Sequence, residues 1–371
     1  MRLTSVFLGV LAISQQVFGA ADICNSTNCL IEENCRCSSI TSPLALEDTP
    51  QLIVLAFVDA AKPELYQSRW SPLIEPRKNP DGDFASATFY VPHEYSDYQI
   101  VHDLASIGFE IGVHSVTNDP HQDYWRDGAQ PLLEQEFGDQ RKIISKFANI
   151  PEKYITGTLT PQLQLAGDNS INAFVARGFS YDNSWPSRNR LFPYTLDYAT
   201  TQICDVGANC PQESHPGFWI NPIVDLTSED GDLCATLAAC FNTRSNQTSQ
   251  EISDWLVKQV ETVKIKNRAP LTLIIEEKLF SSVNESWTGL TDALDRIQED
   301  KTVFLVSQSR VIQWLKNPVP VSEFKTDAVS ITTGCVKDTC SLKKLTGETR
   351  YMVSCVPCPK NYPWLGNPEG V

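Results

Sequence analysis

The stretch Gln51-Leu52-Ile53-Val54-Leu55-Ala56-Phe57-Val58-Asp59 is an unbroken apolar run that ends on an acid. A half-exposed strand would alternate; a continuous run of this length predicts a strand buried on both faces of a parallel sheet. Similar runs recur at Ala87–Pro92, Glu110–His114, Leu271–Ile275 and Thr302–Val306. Between them the apolar residues fall at helical spacing, over Asp97–Ile107, Pro131–Phe147, Ser170–Arg177, Ser249–Lys264 and Trp287–Gln298. Strand and helix alternating over about 260 residues predict an α/β fold, a parallel sheet wrapped by helices and closed into a barrel. The functional groups of such a barrel stand at the C-terminal ends of its strands. Asp59 and His114 are the polar residues that end two of these runs, so both are aimed at one rim.

The chain has 371 residues, with 30 Lys plus Arg against 45 Asp plus Glu and a formal charge of −15. That balance argues against a broad electrostatic grip on nucleic acid or on an anionic membrane. Met1-Arg2, the apolar run Val6–Ile13 and the small residues Gly19-Ala20 have the layout of a secretory signal, cleaved near residue 20. No later stretch approaches the ~20 apolar residues of a membrane span. A secreted, extracellular protein is therefore expected. Three Asn-x-Ser/Thr triplets, at Asn25, Asn246 and Asn284, are candidate glycosylation sites and predict surface loops.

The 12 cysteines fall in three groups of four: Cys24, Cys29, Cys35 and Cys37; Cys204, Cys210, Cys234 and Cys240; Cys335, Cys340, Cys355 and Cys358. In an oxidising compartment an even, clustered set reads as disulfide staples, and Cys355-Val356-Pro357-Cys358 as part of them rather than as zinc or redox chemistry. The stretch between Cys37 and Cys204 must hold by packing alone. The organisation expected is a signal peptide over 1–20, a Cys-rich N-terminal segment over 21–50, the barrel over 51–320 and a disulfide-held extension over 321–371, set off by Asn317-Pro318-Val319-Pro320.

Two segments carry a family resemblance. The run Cys35-Arg36-Cys37-Ser38-Ser39 leading through Glu47-Asp48-Thr49-Pro50-Gln51 to the first strand resembles the start of insect chitin deacetylases. Leu191-Phe192-Pro193-Tyr194-Thr195-Leu196-Asp197-Tyr198, followed by Cys204 and Asn209-Cys210-Pro211, is similar to the mid-domain segment of the same proteins. The resemblance covers roughly residues 35 to 320. It implies a polysaccharide deacetylase of the NodB type, carbohydrate esterase family 4, on a distorted barrel. It also implies a zinc ion held by one Asp and two His, with a second Asp as general base and a late-strand His as general acid.

Carried over position by position, that machinery is degenerate. The Thr-Phe-Asp-Asp motif falls on Ala56-Phe57-Val58-Asp59, so Asp59 remains as a metal ligand while Val58 stands where the base should be. An isopropyl group cannot take a proton. The His-Ser/Thr-x-x-His motif falls on His114-Ser115-Val116-Thr117-Asn118. His114 remains, and the other histidine position is Asn118; His121 is the alternative third ligand. The Arg-x-Pro motif falls on Leu159-Thr160-Pro161, with Leu159 in place of Arg. The late strand puts Glu276 near the position of the general acid, and Tyr181-Asp182-Asn183-Ser184-Trp185 partly matches a further motif.

No catalytic set is intact on this reading, and zinc binding is expected to be weak or absent. The expected partner is chitin or chitooligosaccharide, in the barrel cleft. Trp125, Trp185, Tyr194 and also Trp219 are the aromatic candidates for its lining, since sugar clefts set aromatic faces against the rings. The alternatives are a metal-dependent N-deacetylase working with altered ligands and a structural matrix component without sugar contact. The sequence leaves the oligomeric state open.

Overall fold

The computed structural model describes residues 23–200, 202, 209–241 and 246–371. The expected signal segment and Cys204 lie outside the described residues. Strand β1 (Gln51–Phe57) is buried along its whole length. Both of its faces are covered, which is why its sequence does not alternate. The strands in chain order are β2 (Thr88–Pro92), β3 (Glu110–Ser115), β4 (Gly157–Thr158), β5 (Tyr181–Asp182), β6 (Tyr194–Leu196), β7 (His215–Ile220), β8 (Leu271–Ile275) and β9 (Val303–Leu305).

The sheet runs β8-β1-β2-β3-β4-β5-β7-β6, with β9 also pairing β1. On one side β1 is in register with β8, from Ile53 opposite Leu271 to Phe57 opposite Ile275. On the other side its first half meets β9 and its last two residues meet β2. Every pairing is parallel except that of β6 with β7. A short parallel pair, Pro186–Ser187 with Ile223–Val224, continues β5 and β7, and Ile223–Val224 packs alongside β8. The sheet thus comes round to its own start as a distorted barrel.

Helices α1 (Tyr98–Ser106), α2 (Gln130–Phe147), α3 (Asp168–Ala176), α4 (Ser249–Lys266), α5 (Ser286–Ile297) and α6 (Gln308–Lys316) wrap it. Their starts are written in the sequence. The Asp97 side chain accepts from Gln99 N and Ile100 N, Thr248 and Glu251 form a reciprocal capping box, and Ser307 accepts from Arg310 N. Helices α4 and α5 meet closely at Gly289, where a Cβ would lie 2.6 Å from Ile252 Cβ.

Disulfides fasten the remainder. Cys24–Cys37 and Cys29–Cys35 tie the N-terminal segment, which adds to the edge at β6 through Thr195 N to Arg36 O and Phe192 N to Ser39 O. Cys234–Cys240 closes a six-residue loop, and Cys210 is disulfide-bonded as well. Cys335–Cys355 and Cys340–Cys358 staple an antiparallel hairpin, β10 (Asp338–Lys343) and β11 (Thr349–Ser354). Cys355 and Cys358 therefore bond to different partners. The hairpin docks on the barrel, with Cys355 N donating to Phe147 O at the end of α2.

Candidate functional site

A cleft of about 390 Å³ opens at the C-terminal ends of β1, β3 and β8, lined by Val58, Asp59, His114, Asn118, Leu159 and Glu276 among others. Residues as far apart in sequence as Val58 and Lys278 thus line one cleft, because the parallel register puts the ends of these strands side by side.

Asp59 is half-buried, and its Oδ2 accepts from the backbone N–H of Glu277 at 2.6 Å. Burial pushes its carboxyl up to about 7; that backbone bond opposes the rise, the neighbouring carboxylates of Glu276 and Glu277 add to it, and Lys62 lowers it. Lys62 is itself committed to Glu277, at 2.5 Å. His114 is buried, and its Nδ1 donates to Leu159 O at 2.7 Å. Burial pulls the imidazole down to about 4, against hydrogen bonds to Leu159 and to the Asn118 side chain. At neutral pH the ring is uncharged, held by the main chain of the next strand, with Asn118 as its other polar neighbour.

A catalytic zinc site needs three protein ligands converging on one point, with a fourth position left open. Among the described residues, no third His, Cys, Asp or Glu joins Asp59 and His114 with ligand atoms within 4.8 Å of one another. His121 does not line this cleft. It is 75% exposed, pairs with Asp119 at 2.8 Å and borders a separate shallow depression with Asp123 and Asp127. Asn118 is present in the cleft but offers a neutral amide, a poor donor for zinc. This donor set does not fit the ion. The His and acid cluster that does converge, Asp168, Glu213 and His215, belongs to the packing of α3 on β7. Asp168 there accepts from His215 Nε2 and from the backbone of Gln212 and Glu213.

The expected aromatic lining is corrected by the structure. Trp125 is fully buried; its Nε1 donates to Asp119 O and its ring packs edge-on against Tyr124 and Phe137. Trp185 and Tyr194 are buried against each other in a T-shaped pair, and Trp219 is in the core as well. The polar residues around Trp125 misled because they face solvent on the short helix Gln122–Arg126 while the indole takes its inner side. The Tyr181–Trp185 segment likewise builds support rather than a cleft surface. Asp182 is buried and accepts from Thr158 Oγ1, Ser184 N and Ser184 Oγ, while Ser184 Oγ accepts from Thr160 N behind the cleft wall.

Sequence reasoning missed the opposite wall. Thr236, Ala238 and Ala239 reach the cleft from the loop closed by Cys234–Cys240, which touches the end of β8 where Thr236 bridges Ile274. Lys278 adds a cation beside Glu276, and Gln162 and Leu163 turn past His114 in left-handed backbone, with φ of 58° and 54°. The six-residue spacing of Cys234 and Cys240 was the one available signal for this wall. The three sequon asparagines, Asn25, Asn246 and Asn284, are all exposed.

No family model matches the chain. Chitin deacetylase 8 of Bombyx mori is 32% identical over 383 residues, covering 100% of both chains. Chitin deacetylase 1 of the same organism is 31% identical over 376 residues, 94% of this chain and 68% of that one. Among solved structures, the family 4 carbohydrate esterase of Streptomyces lividans, in complex with acetate, is 10% identical with a TM-score of 0.37, over 68% of this chain and 91% of that one. Likeness to an insect relative along the entire length of both proteins, on a barrel whose strand ends bear Asp59 and His114, means that this chain belongs to the chitin deacetylase family.

Proposed function

We propose that this protein is a secreted chitin deacetylase homologue whose cleft binds chitin or chitooligosaccharide and whose deacetylation is impaired. One observation carries the reading: in the cleft that holds Asp59 and His114, an apolar Val58 stands beside the acid, and among the described residues no third His, Cys, Asp or Glu converges with them. Loss of a general base alone costs ~10²–10⁴ in rate. The cleft itself stays open and polar, with Asp59, Glu276, Lys278 and Thr160 facing it, a lining suited to hydroxyl and acetamido groups.

The disulfides and the exposed sequons support secretion into an oxidising space and glycosylation at Asn25, Asn246 and Asn284. The altered-ligand hydrolase retains one point in its favour, the half-buried Glu276 in the same cleft. Elemental analysis after dialysis against micromolar zinc, run together with acetate release from N-acetylglucosamine oligomers, separates the two. Stoichiometric metal with acetate release would overturn the impaired-enzyme reading. The double variant Val58→Asp, Asn118→His should gain zinc affinity, and an unchanged affinity would mean that these positions have been misassigned.

A further inference from the structure

We infer that Tyr95 is a sugar-stacking subsite on the rim of the cleft, and that the C-terminal extension is built to hold it there. The inference rests on the cleft reading above and extends it along the chain of a β-1,4-linked N-acetylglucosamine polymer.

Tyr95 sits in the turn after β2, which is placed between the two cleft residues. His93 N donates to Ser115 O, directly after His114, while Asp97 N donates to Ala61 O, two residues beyond Asp59. The turn therefore stands on the same rim. The tyrosine is 69% exposed, although the residues on either side of Glu94-Tyr95 are buried. Its φ is +68°, a left-handed conformation that costs a bulky residue roughly 1 kcal/mol or more and that Gly or Asn would adopt freely. Strain of this kind persists only where the surroundings over-determine the backbone, and it concentrates at ligand sites.

The surroundings here come from the extension. His93 Nε2 is 2.9 Å from Pro363 O and its ring packs on Tyr362 at 4.6 Å. Glu94 is gripped by Lys344 at 2.6 Å and by Arg350 at 3.1 Å, and the Arg350 guanidinium lies 5.9 Å from the Tyr95 ring centre. Arg350 is further fixed by Glu348. Four contacts from the stapled tail thus lock His93 and Glu94 beside Tyr95, while its ring, with Arg350 over it, stays largely in solvent. An exposed aromatic on a rigid, strained turn at the cleft end of the barrel is pre-organised to stack on a pyranose face at a reduced entropy cost.

The test is calorimetry on the secreted full-length protein with N-acetylglucosamine oligomers of increasing length, from the dimer to the hexamer. Tyr95→Ala should weaken the longest oligomers roughly five- to tenfold and leave the dimer unchanged, and Tyr95→Trp should restore the affinity. A ring that served only the fold would produce no such length dependence. Ala239→Trp, which fills the cleft, reports separately on the reading beneath. If Ala239→Trp abolishes binding and Tyr95→Ala matches the wild type at every length, the stacking subsite is overturned and the cleft stands. If the wild type binds no oligomer, or Ala239→Trp binds as well as it does, the cleft reading is overturned and Tyr95 loses its role with it.

Discussion

The two ends of the barrel each hold an acid, and they treat it in opposite ways. At the cleft, Asp59 has one backbone donor, Glu277 N, and two carboxylates as neighbours. Four residues back from His114 on β3, roughly 13 Å away along the strand, Glu110 faces a second cavity of about 320 Å³ at the opposite end. Its Oε1 accepts from Tyr181 Oη at 2.9 Å, and its Oε2 from Thr88 Oγ1 at 3.0 Å and Ser309 N at 2.9 Å. Burial raises both carboxyls, but at Glu110 three donors from three elements oppose the rise. Donor saturation separates an acid that holds the fold from one left available to a ligand. A cavity alone does not make the distinction, since both ends have one.

The largest expected effect breaks the saturated end. Glu110→Ala leaves a buried tyrosine hydroxyl, a threonine hydroxyl and a backbone N–H without their acceptor, and should cost roughly 3–5 kcal/mol in urea unfolding. A loss below 1 kcal/mol would mean that water in the cavity replaces the carboxylate and that Glu110 is no keystone. Gly157→Ala attacks the same network from behind. A Cβ there would lie 1.9 Å from Tyr181 Cζ, so the ring must leave its bond to Glu110, at roughly 2–4 kcal/mol. Because the two substitutions damage one interaction, their effects should fall short of additivity; strictly additive losses would uncouple Gly157 from the network.

These contacts mark where the sequence stops being readable. The long strands β1, β2, β3 and β8 announce themselves as apolar runs, and Asp59 and His114 follow as the polar groups that end two of them. Strands β4 and β5 have two residues each, too few for any periodicity, and β7 carries Pro216 and Gly217 in its first half. They are strands because a neighbour's backbone pairs with them, which no local pattern encodes. The cleft wall at Thr236–Ala239 depends in the same way on a disulfide and on a bridge to the distant Ile274. Trp185 looks like a sugar-binding aromatic by its polar flank Asn183-Ser184, and only the three-dimensional packing shows that it is spent on Tyr194.

Asp182, buried with three donors of its own, sharpens the comparison through pH. It is buried, and burial raises it to about 6 despite its hydrogen bonds from Ser184 and Thr158. From about pH 4 to 6 the folded form keeps a proton that the unfolded chain releases near 3.9. Folding therefore binds more protons in that window, and this group's contribution to stability falls as pH rises through it, by up to ~3 kcal/mol. Asp182→Asn cannot titrate. The stability difference between wild type and variant, from urea curves at half-unit steps, should shift toward the variant between pH 4 and 6 and level off above. Parallel curves would show that Asp182 is ionised in the fold throughout.

The smallest effect is expected at Asp59, and it is the other half of the comparison. An amide oxygen in Asp59→Asn can accept the same bond from Glu277 N, the cost of burying a charge disappears, and Glu276 and Glu277 lose a repulsive neighbour. Lys62 gives up one attraction and keeps Glu277. The sum at pH 7 should lie between no change and a gain of about 1 kcal/mol, discounted for the half-exposed position of the group. The isosteric swap at the other end, Glu110→Gln, must turn an amide N–H₂ toward a donor and should lose about 1–2 kcal/mol. If Asp59→Asn costs as much as Glu110→Gln, then Asp59 is a structural acid like its counterpart, and the cleft keeps it for the fold rather than for anything that enters.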